Sequence, residues 1–461
     1  MWKIDLATRN ILQLGLAFLF LWGLNICQGN IQEIVINSYA NSTGIDIDKQ
    51  AGFYSQSILW ASMMAGSLLG PTIVTPVGPK YSMALGSVGF WLFTASFLYL
   101  QQCLLYTASV LIGLGGAILW CAEGSYLSFN SNPSNVHQQS ANFWLVQSFW
   151  SIFGSVFLYF MTKGQSTFSI ERIRWIYGGF TAAMMLGTLT LLLLPNTRPP
   201  RQVYDRRGTV ISILSVQSAV SDGRSKYRLI VDDWIQENSC VSTVLIKTAR
   251  LLVTRHLLML IPFFCYIGIE LVFFTVVYPT TLGFTQQFHT DGPTLVALHV
   301  LVSGIAELIG AVSIGPISSR IGRSPVVLLG CILNLIAAFF IFINVPETAT
   351  FDKTDDLAYV RPPSKILAIG VSAVLGLCDC IVATQLNSIL PALYPGPESA
   401  QAYALFNFFQ TLTSALFAFF CAKLRVTWQL LILALGGLIS TVCFLPVEWH
   451  AQIHPEGLRF A

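Results

Sequence analysis

The stretch GLGGAILWCAEGSYLSFNSN, Gly113 to Asn132, decides how the rest of the chain is read. It is apolar enough to cross a bilayer, yet it carries a carboxylate, Glu123, near its middle. Gly113, Gly116, Ala117 and Gly124 are small, which lets neighbouring helices approach closely. At helical spacing Gly116, Trp120, Glu123, Leu127 and Asn130 share one face. An ionised glutamate isolated in hydrocarbon costs about 3 kcal/mol or more. That face therefore turns toward protein or water, not lipid.

Composition carries the same reading outward. Of the 461 residues, 54% are hydrophobic and 10% charged, against roughly 25% charged in a soluble domain. Mean hydropathy is +0.65, and apolar runs of about 20 residues, enough to span hydrocarbon, recur from end to end. The chain reads as an all-α, multi-pass membrane protein set in a lipid bilayer. A net charge of +3 with no basic-aromatic platform gives no reason to expect nucleic acid. Most of the ten Cys lie inside apolar runs (Cys27, Cys121, Cys265, Cys331, Cys378, Cys380, Cys421, Cys443), where they act as small hydrophobes and not as a disulfide framework. The apolar run after Arg9 is long and lacks a small-residue cleavage site, so it reads as the first span.

Twelve spans are expected, near 10–30, 53–75, 81–100, 104–127, 140–161, 173–194, 257–279, 293–315, 325–344, 365–390, 401–421 and 428–447. The longest gap, 195–256, divides the chain into six plus six: an N-terminal bundle over 1–194, a cytoplasmic linker over 195–256 and a C-terminal bundle over 257–461. Short matches support a duplicated unit. SLLGP (Ser67–Pro71) ends the second span and VSIGP (Val312–Pro316) the eighth, followed by Gly78 and Gly322 respectively. AEGSYL (Ala122–Leu127) stands against TQLNSI (Thr384–Ile389), which sets Glu123 opposite Gln385.

Orientation follows from charge. With both termini cytoplasmic, most of the 25 Lys and Arg fall on the inner side, as the positive-inside bias requires. The middle loop supplies Arg198, Arg201, Arg206, Arg207, Arg224, Lys226 and Arg228, which read as a solvated basic tether. The sequon Asn41-Ser42-Thr43 then lies in the loop after the first span, on the outer or lumenal face, where Asn41 is a glycosylation candidate. Glu347, Asp352, Asp355 and Asp356 make the outer loop 345–364 a solvated acidic segment.

Four carboxylates lie well inside spans: Glu123, Glu270, Glu307 and Asp379. No Lys or Arg lies deep in any span, so these acids have no membrane-buried cationic partner. They are either protonated hydrogen-bonders that lock helix packing, or groups waiting for a proton or a cation. With Gln385 they form the candidate cavity and proton or cation site. His137, His256 and His299 fall at span ends and read as interfacial. No Walker loop, zinc spacing or nucleophile–base pattern occurs. Neither an enzyme nor a cofactor or metal centre is expected.

The turn GPISSRIGRSP, Gly315 to Pro325, resembles the cytoplasmic signature of the major facilitator superfamily: Gly, an acid, Arg, any residue, Gly, Arg. Gly315, Arg320, Gly322 and Arg323 match in place, while Ser319 stands where the family has Asp. Longer stretches narrow the likeness: LWCAEGSYLSFNS in span four, GIELVFFTVVYP in span seven, GRSPVVLLG at Gly322–Gly330, GLCDCIVATQLNSIL in span ten and VEWH at Val447–His450. Together they resemble the Unc-ninety-three-like family within that superfamily, and its orphan subgroup in particular. The resemblance implies two pseudo-symmetric six-helix bundles of the major facilitator fold. It also implies a regulator of a potassium channel or a trafficking escort, with an ion channel or receptor as partner. The missing acid leaves the gating role of the signature without its charge partner. The alternative is a secondary transporter that moves a small solute coupled to protons or cations through the buried carboxylates.

Overall fold

In hydrocarbon every backbone N–H and C=O must pair within its own segment, so the long apolar runs become helices. The computed structural model describes residues 5–131, 136–163, 168–196, 203–204, 210–211, 248–394 and 397–453. In the first part of the chain the helices are α1 (Leu6–Thr43), α2 (Ala51–Val77), α3 (Pro79–Ala95), α4 (Gln102–Phe129), α5 (Gln138–Thr162) and α6 (Ile170–Leu192). After the gap come α7 (Arg255–Phe284), α8 (Gly292–Ile321) and α9 (Arg323–Asn344). The chain then continues through α10 (Lys365–Leu393), α11 (Pro397–Cys421) and α12 (Val426–Ile453). Among the described residues eleven helices are long and apolar enough to cross a membrane. The expected count of twelve exceeds this by one, and the difference falls at the second expected span, where the 27-residue α2 stands. The middle segment contributes two short antiparallel strands, Val203–Tyr204 and Val210–Ile211. The seven basic residues singled out there lie outside the described residues.

Two helix pairs make the most extensive joint between the first set and the second, α2 on α11 and α5 on α8, and α1 also meets α7 and α8. Exchanging the two sets turns one pair into the other, so the joint has the symmetry of a duplicated unit. Contact is close: a methyl built on Gly304 of α8 would sit 1.9 Å from Cβ of Ser151 in α5. Only glycine lets these two helices meet at that point.

The duplication is also visible in backbone detail. Gly78 has φ 85° and ψ 151°, and Gly322 has φ 89° and ψ 165°; each starts the following helix. This region of backbone space is open to glycine alone. A π turn interrupts the first helix of each set, Leu19–Gly23 in α1 and Phe273–Val277 in α7. Such single turns inside α-helices recur at functional sites.

Two boundaries depart from expectation. Helix α1 runs to Thr43, thirteen residues beyond the expected end of the first span, because the polar run Gln28–Glu33 stays helical and buried. Asn41 therefore lies in the last turn of a helix and not in a loop, where it is exposed. The loop 345–364 is also more than a solvated acidic segment. Glu347 pairs with Arg425 at 3.3 Å, Asp352 pairs with Lys49, and Gln50 donates to the Phe351 carbonyl at 2.8 Å. These exposed contacts fasten the α1–α2 and α11–α12 loops to it, though each surface pair contributes only about 0–1 kcal/mol.

The glycine geometry gives a direct test. Gly78→Ala and Gly322→Ala should each lower stability by about 1–3 kcal/mol, read as a fall in thermal midpoint of the purified protein. Gly370→Ala, where nothing lies within 4 Å, should leave the midpoint level or slightly raised.

Candidate functional site

The four carboxylates singled out from the sequence separate into three and one. Asp379 on α10 lies within electrostatic reach of both Glu270 on α7 and Glu307 on α8. Glu270 is 2% exposed and its Oε1 has no hydrogen-bond partner; Glu307 and Asp379 are half-buried. No Lys or Arg among the described residues pairs with any of the three. Once charged they repel one another strongly in a low-dielectric interior, and a proton or a cation relieves that repulsion. Among the described residues no group of three or more His, Cys, Asp and Glu is arranged to hold a metal ion, so the three are not a ready coordination sphere. They form instead a short file of carboxyl groups, two of them accessible and one sealed.

Gln385 does not join this file. It is fully buried lower on α10 and its Oε1 accepts from Ser318 Oγ at 2.9 Å, which sews α10 to α8; its Nε2 has no partner. Glu123 also stands apart, on α4, 8% exposed and without a hydrogen bond or ion pair. Its own face is oriented by neighbours. Trp120, one turn before it, packs on Phe18 and Trp22 of α1, and Asn130, two turns after it, accepts from Asn10 Nδ2 at 2.9 Å.

The signature turn behaves as two separate pieces. Gly315 has open space around it, Arg320 is exposed, and Ser319 donates to the carbonyl of Pro316 within its own helix at 2.8 Å. Gly322 and Arg323 carry the structure. Arg323 Nε lies 3.2 Å from Glu448 Oε2 on α12, and its Nη1 donates to the Ser388 carbonyl on α10 at 3.3 Å. Glu448 is 1% exposed and also accepts from Gln452 Nε2 at 2.9 Å. The acid missing at Ser319 is thus replaced, for Arg323, by one from the end of the last helix. All three helices of this clasp belong to the second set.

Two carboxylates escaped the sequence reading. Glu448 sits in VEWH, near the end of the last apolar run, and nothing local in the sequence indicates that Arg323 reaches it. Glu33 was lost because the first span was ended too early. It is 1% exposed, and its carboxylate lies against the backbone amides of Gly52 and Phe53 in the first turn of α2. A Cβ on Gly52 would fall 1.9 Å from Glu33 Oε2. An anion at a helix N-terminus is favoured by the unpaired amides and the helix dipole, so Glu33 ties α1 to α2.

His299 departs from the interfacial reading. His299 is 1% exposed, and its Nε2 donates to the Phe274 carbonyl at 3.2 Å. That carbonyl lies in the π turn of α7, whose irregular ladder leaves acceptors for α8 to satisfy. His256 stacks on His450 with ring centroids 4.2 Å apart. For His137 only the helical backbone is described.

Comparison with known proteins places this geometry. The family model described as "Ion channel regulatory protein UNC-93" matches residues 43–445. "UNC93-like protein MFSD11" of Xenopus tropicalis is 31% identical over 445 residues, covering 95% of this chain and 96% of the relative. "Putative potassium channel regulatory protein unc-93" of Caenorhabditis elegans is 22% identical, covering 96% of this chain and 62% of the relative. Among solved structures, a D-xylose-proton symporter superposes with a TM-score of 0.63 at 14% identity, over 94% of this chain and 96% of that one. A likeness at that identity speaks to the fold, which is that of major facilitator transporters.

The clasp predicts an asymmetry between its two ends. Arg323→Met strands a buried carboxylate and should cost up to about 3 kcal/mol, whereas Glu448→Gln, which leaves a partly exposed cation, should cost less. A double-mutant cycle by thermal unfolding should return a favourable coupling between the two positions; additive losses would mean that they act independently.

Proposed function

Because the chain belongs to the UNC-93 family, we propose that it is a non-enzymatic membrane partner protein that regulates an ion channel or escorts a receptor along the secretory route. In this reading it sits in the bilayer with both termini cytoplasmic and Asn41 on the opposite face. The chain divides at 195–256 into two six-helix bundles, 1–194 and 257–461. The observation that carries the proposal is the Arg323–Glu448 clasp. A latch that controls rocking between two bundles needs partners on both of them. Here the engaged arginine is tied to α10 and α12 of its own bundle, and Arg320 is exposed. Such a turn stiffens one bundle and does not gate the pair. The relative named as a potassium channel regulator suggests where to look first.

A second reading is solute transport coupled to protons or cations. The file Glu307–Asp379–Glu270 favours it, because carboxyl groups that pass charge from an accessible to a sealed position suit a relay. The solved neighbours include a proton symporter, which is a likeness of fold.

Two measurements separate the readings. Co-expression with a panel of potassium channels, with and without this protein, should change current or surface delivery of at least one channel. If every channel is unaffected, and proteoliposomes of the wild type show proton-driven uptake that Asp379→Asn abolishes, the transport reading replaces the regulator one.

A further inference from the structure

The aromatic residues around Glu123 form more than filler between helices. Trp22 sits inside the π turn of α1. Its ring meets Trp120 of α4 at 5.1 Å, Phe90 of α3 at 6.3 Å and Trp60 of α2 at 6.4 Å, all edge to face. Trp120 in turn stacks on Trp144 of α5 at 5.9 Å. Four of the chain's eleven tryptophans thus come together from four helices. Trp22 and Trp120 remain only partly buried.

Two polar groups in this wall are uncommitted. Trp60 is 7% exposed and its Nε1 has no acceptor, a loss of about 1–3 kcal/mol for a buried donor. Glu123, one turn beyond Trp120 on the same face, is 8% exposed and makes no hydrogen bond or ion pair among the described residues. Among the described residues the other carboxylate deep in the first six helices, Glu33, lies against the start of α2 and accepts from Asn37 Nδ2 at 3.5 Å, though its Oε2 has no hydrogen-bond partner. One carboxylate and one indole donor are therefore left within this cluster of aromatic rings.

We propose that Glu123 with Trp22, Trp60 and Trp120 forms a binding site for an organic ammonium ion. The chemistry selects that class. Indole rings attract a cation, most strongly one that sheds its water easily. Glu123 supplies the counter-charge that a hydrocarbon interior otherwise lacks. The wall holds no Lys or Arg for an anion, and indoles offer a metal ion no ligand. The unpaired Trp60 N–H suits a ligand that carries an ether, hydroxyl or carbonyl oxygen besides its ammonium. The site stands whether the protein regulates a channel or moves a solute, because it concerns binding alone.

The test is calorimetric titration of the full chain in lipid nanodiscs with benzyltrimethylammonium, at constant ionic strength. Saturable binding is expected, weakened about tenfold or more in Glu123→Gln, which is near 1.4 kcal/mol, and about fivefold in Trp120→Phe. Each variant is accompanied by its thermal midpoint, and Trp120→Phe, which keeps an aromatic ring, serves if Glu123→Gln does not fold. Three results overturn the proposal: no saturation in the wild type up to about 10 mM, a weak affinity by any standard; unchanged affinity in both folded variants; or binding that survives Glu123→Gln and vanishes in Asp379→Asn, which moves the cation to the second bundle.

Discussion

A carboxyl group on a membrane helix has to be met by a cation, a hydrogen-bond donor, a proton or water, and among the described residues six on these helices are buried or half-buried. Each solution organises a different part of the molecule. Glu33 is met by the amides that open α2, so the polar end of α1 remains a helix and the α1–α2 corner is fixed. Glu448 is met by Arg323, and the ends of α9, α10 and α12 are drawn to one point. Glu270, Asp379 and Glu307 have only one another, which makes them responsive to whatever charge arrives. Glu123 has no hydrogen bond or ion pair among the described residues. Glu33 and Glu448 join helices through these contacts, whereas the other four have no basic side chain paired with them among the described residues.

The duplicated framework explains why these solutions are not symmetric. Backbone features repeat faithfully: a π turn in the first helix of each set, a glycine at φ near 85–89° after the second, and a joint in which α2–α11 mirrors α8–α5. Side chains have diverged on that common backbone. The π turn of α1 presents Trp22 to an aromatic wall, while that of α7 offers the Phe274 carbonyl to His299. Acidic groups accumulate in the second set and aromatic ones gather in the first. A backbone kept in register with side chains allowed to differ is what two specialised halves of one fold require.

Hydropathy made the architecture legible because a span must be long, apolar and internally hydrogen-bonded, and those demands are written locally. The correspondence of Gly78 with Gly322 was also legible, since a backbone region open only to glycine leaves a glycine in the sequence. The extent of α1 was not. Gln28, Asn30, Gln32 and Glu33 look like a loop by composition; they stay helical because Gln32 and Glu33 are met from α2, through the Gly52 carbonyl, Gln56 and the first amides. The clasp was hidden for a similar reason: Arg323 and Glu448 are more than a hundred residues apart, and the motif that flags Arg323 points to Ser319 as its partner. Of the candidate site, the sequence shows that four acids lie inside spans but not which of them are neighbours, because span depth says nothing about which side of a helix faces which neighbour.

That last distinction decides what the acids can do. Glu123 and Asp379 lie on α4 and α10, helices that correspond in the repeat, but Gln385 and not Asp379 holds the position that matches Glu123, and the surroundings of the two acids differ in kind. Around Asp379 the neighbours are other carboxyl groups, so the favoured visitor is small and charged, and a proton serves three oxygen-rich groups at once. Around Glu123 the neighbours are indole rings, which poorly replace the hydration shell of a small ion and readily accept a large, weakly hydrated one. A single cation could not satisfy both environments. On the two proposals above, these environments suit different species, a small charged one beside Asp379 and a large, weakly hydrated one beside Glu123.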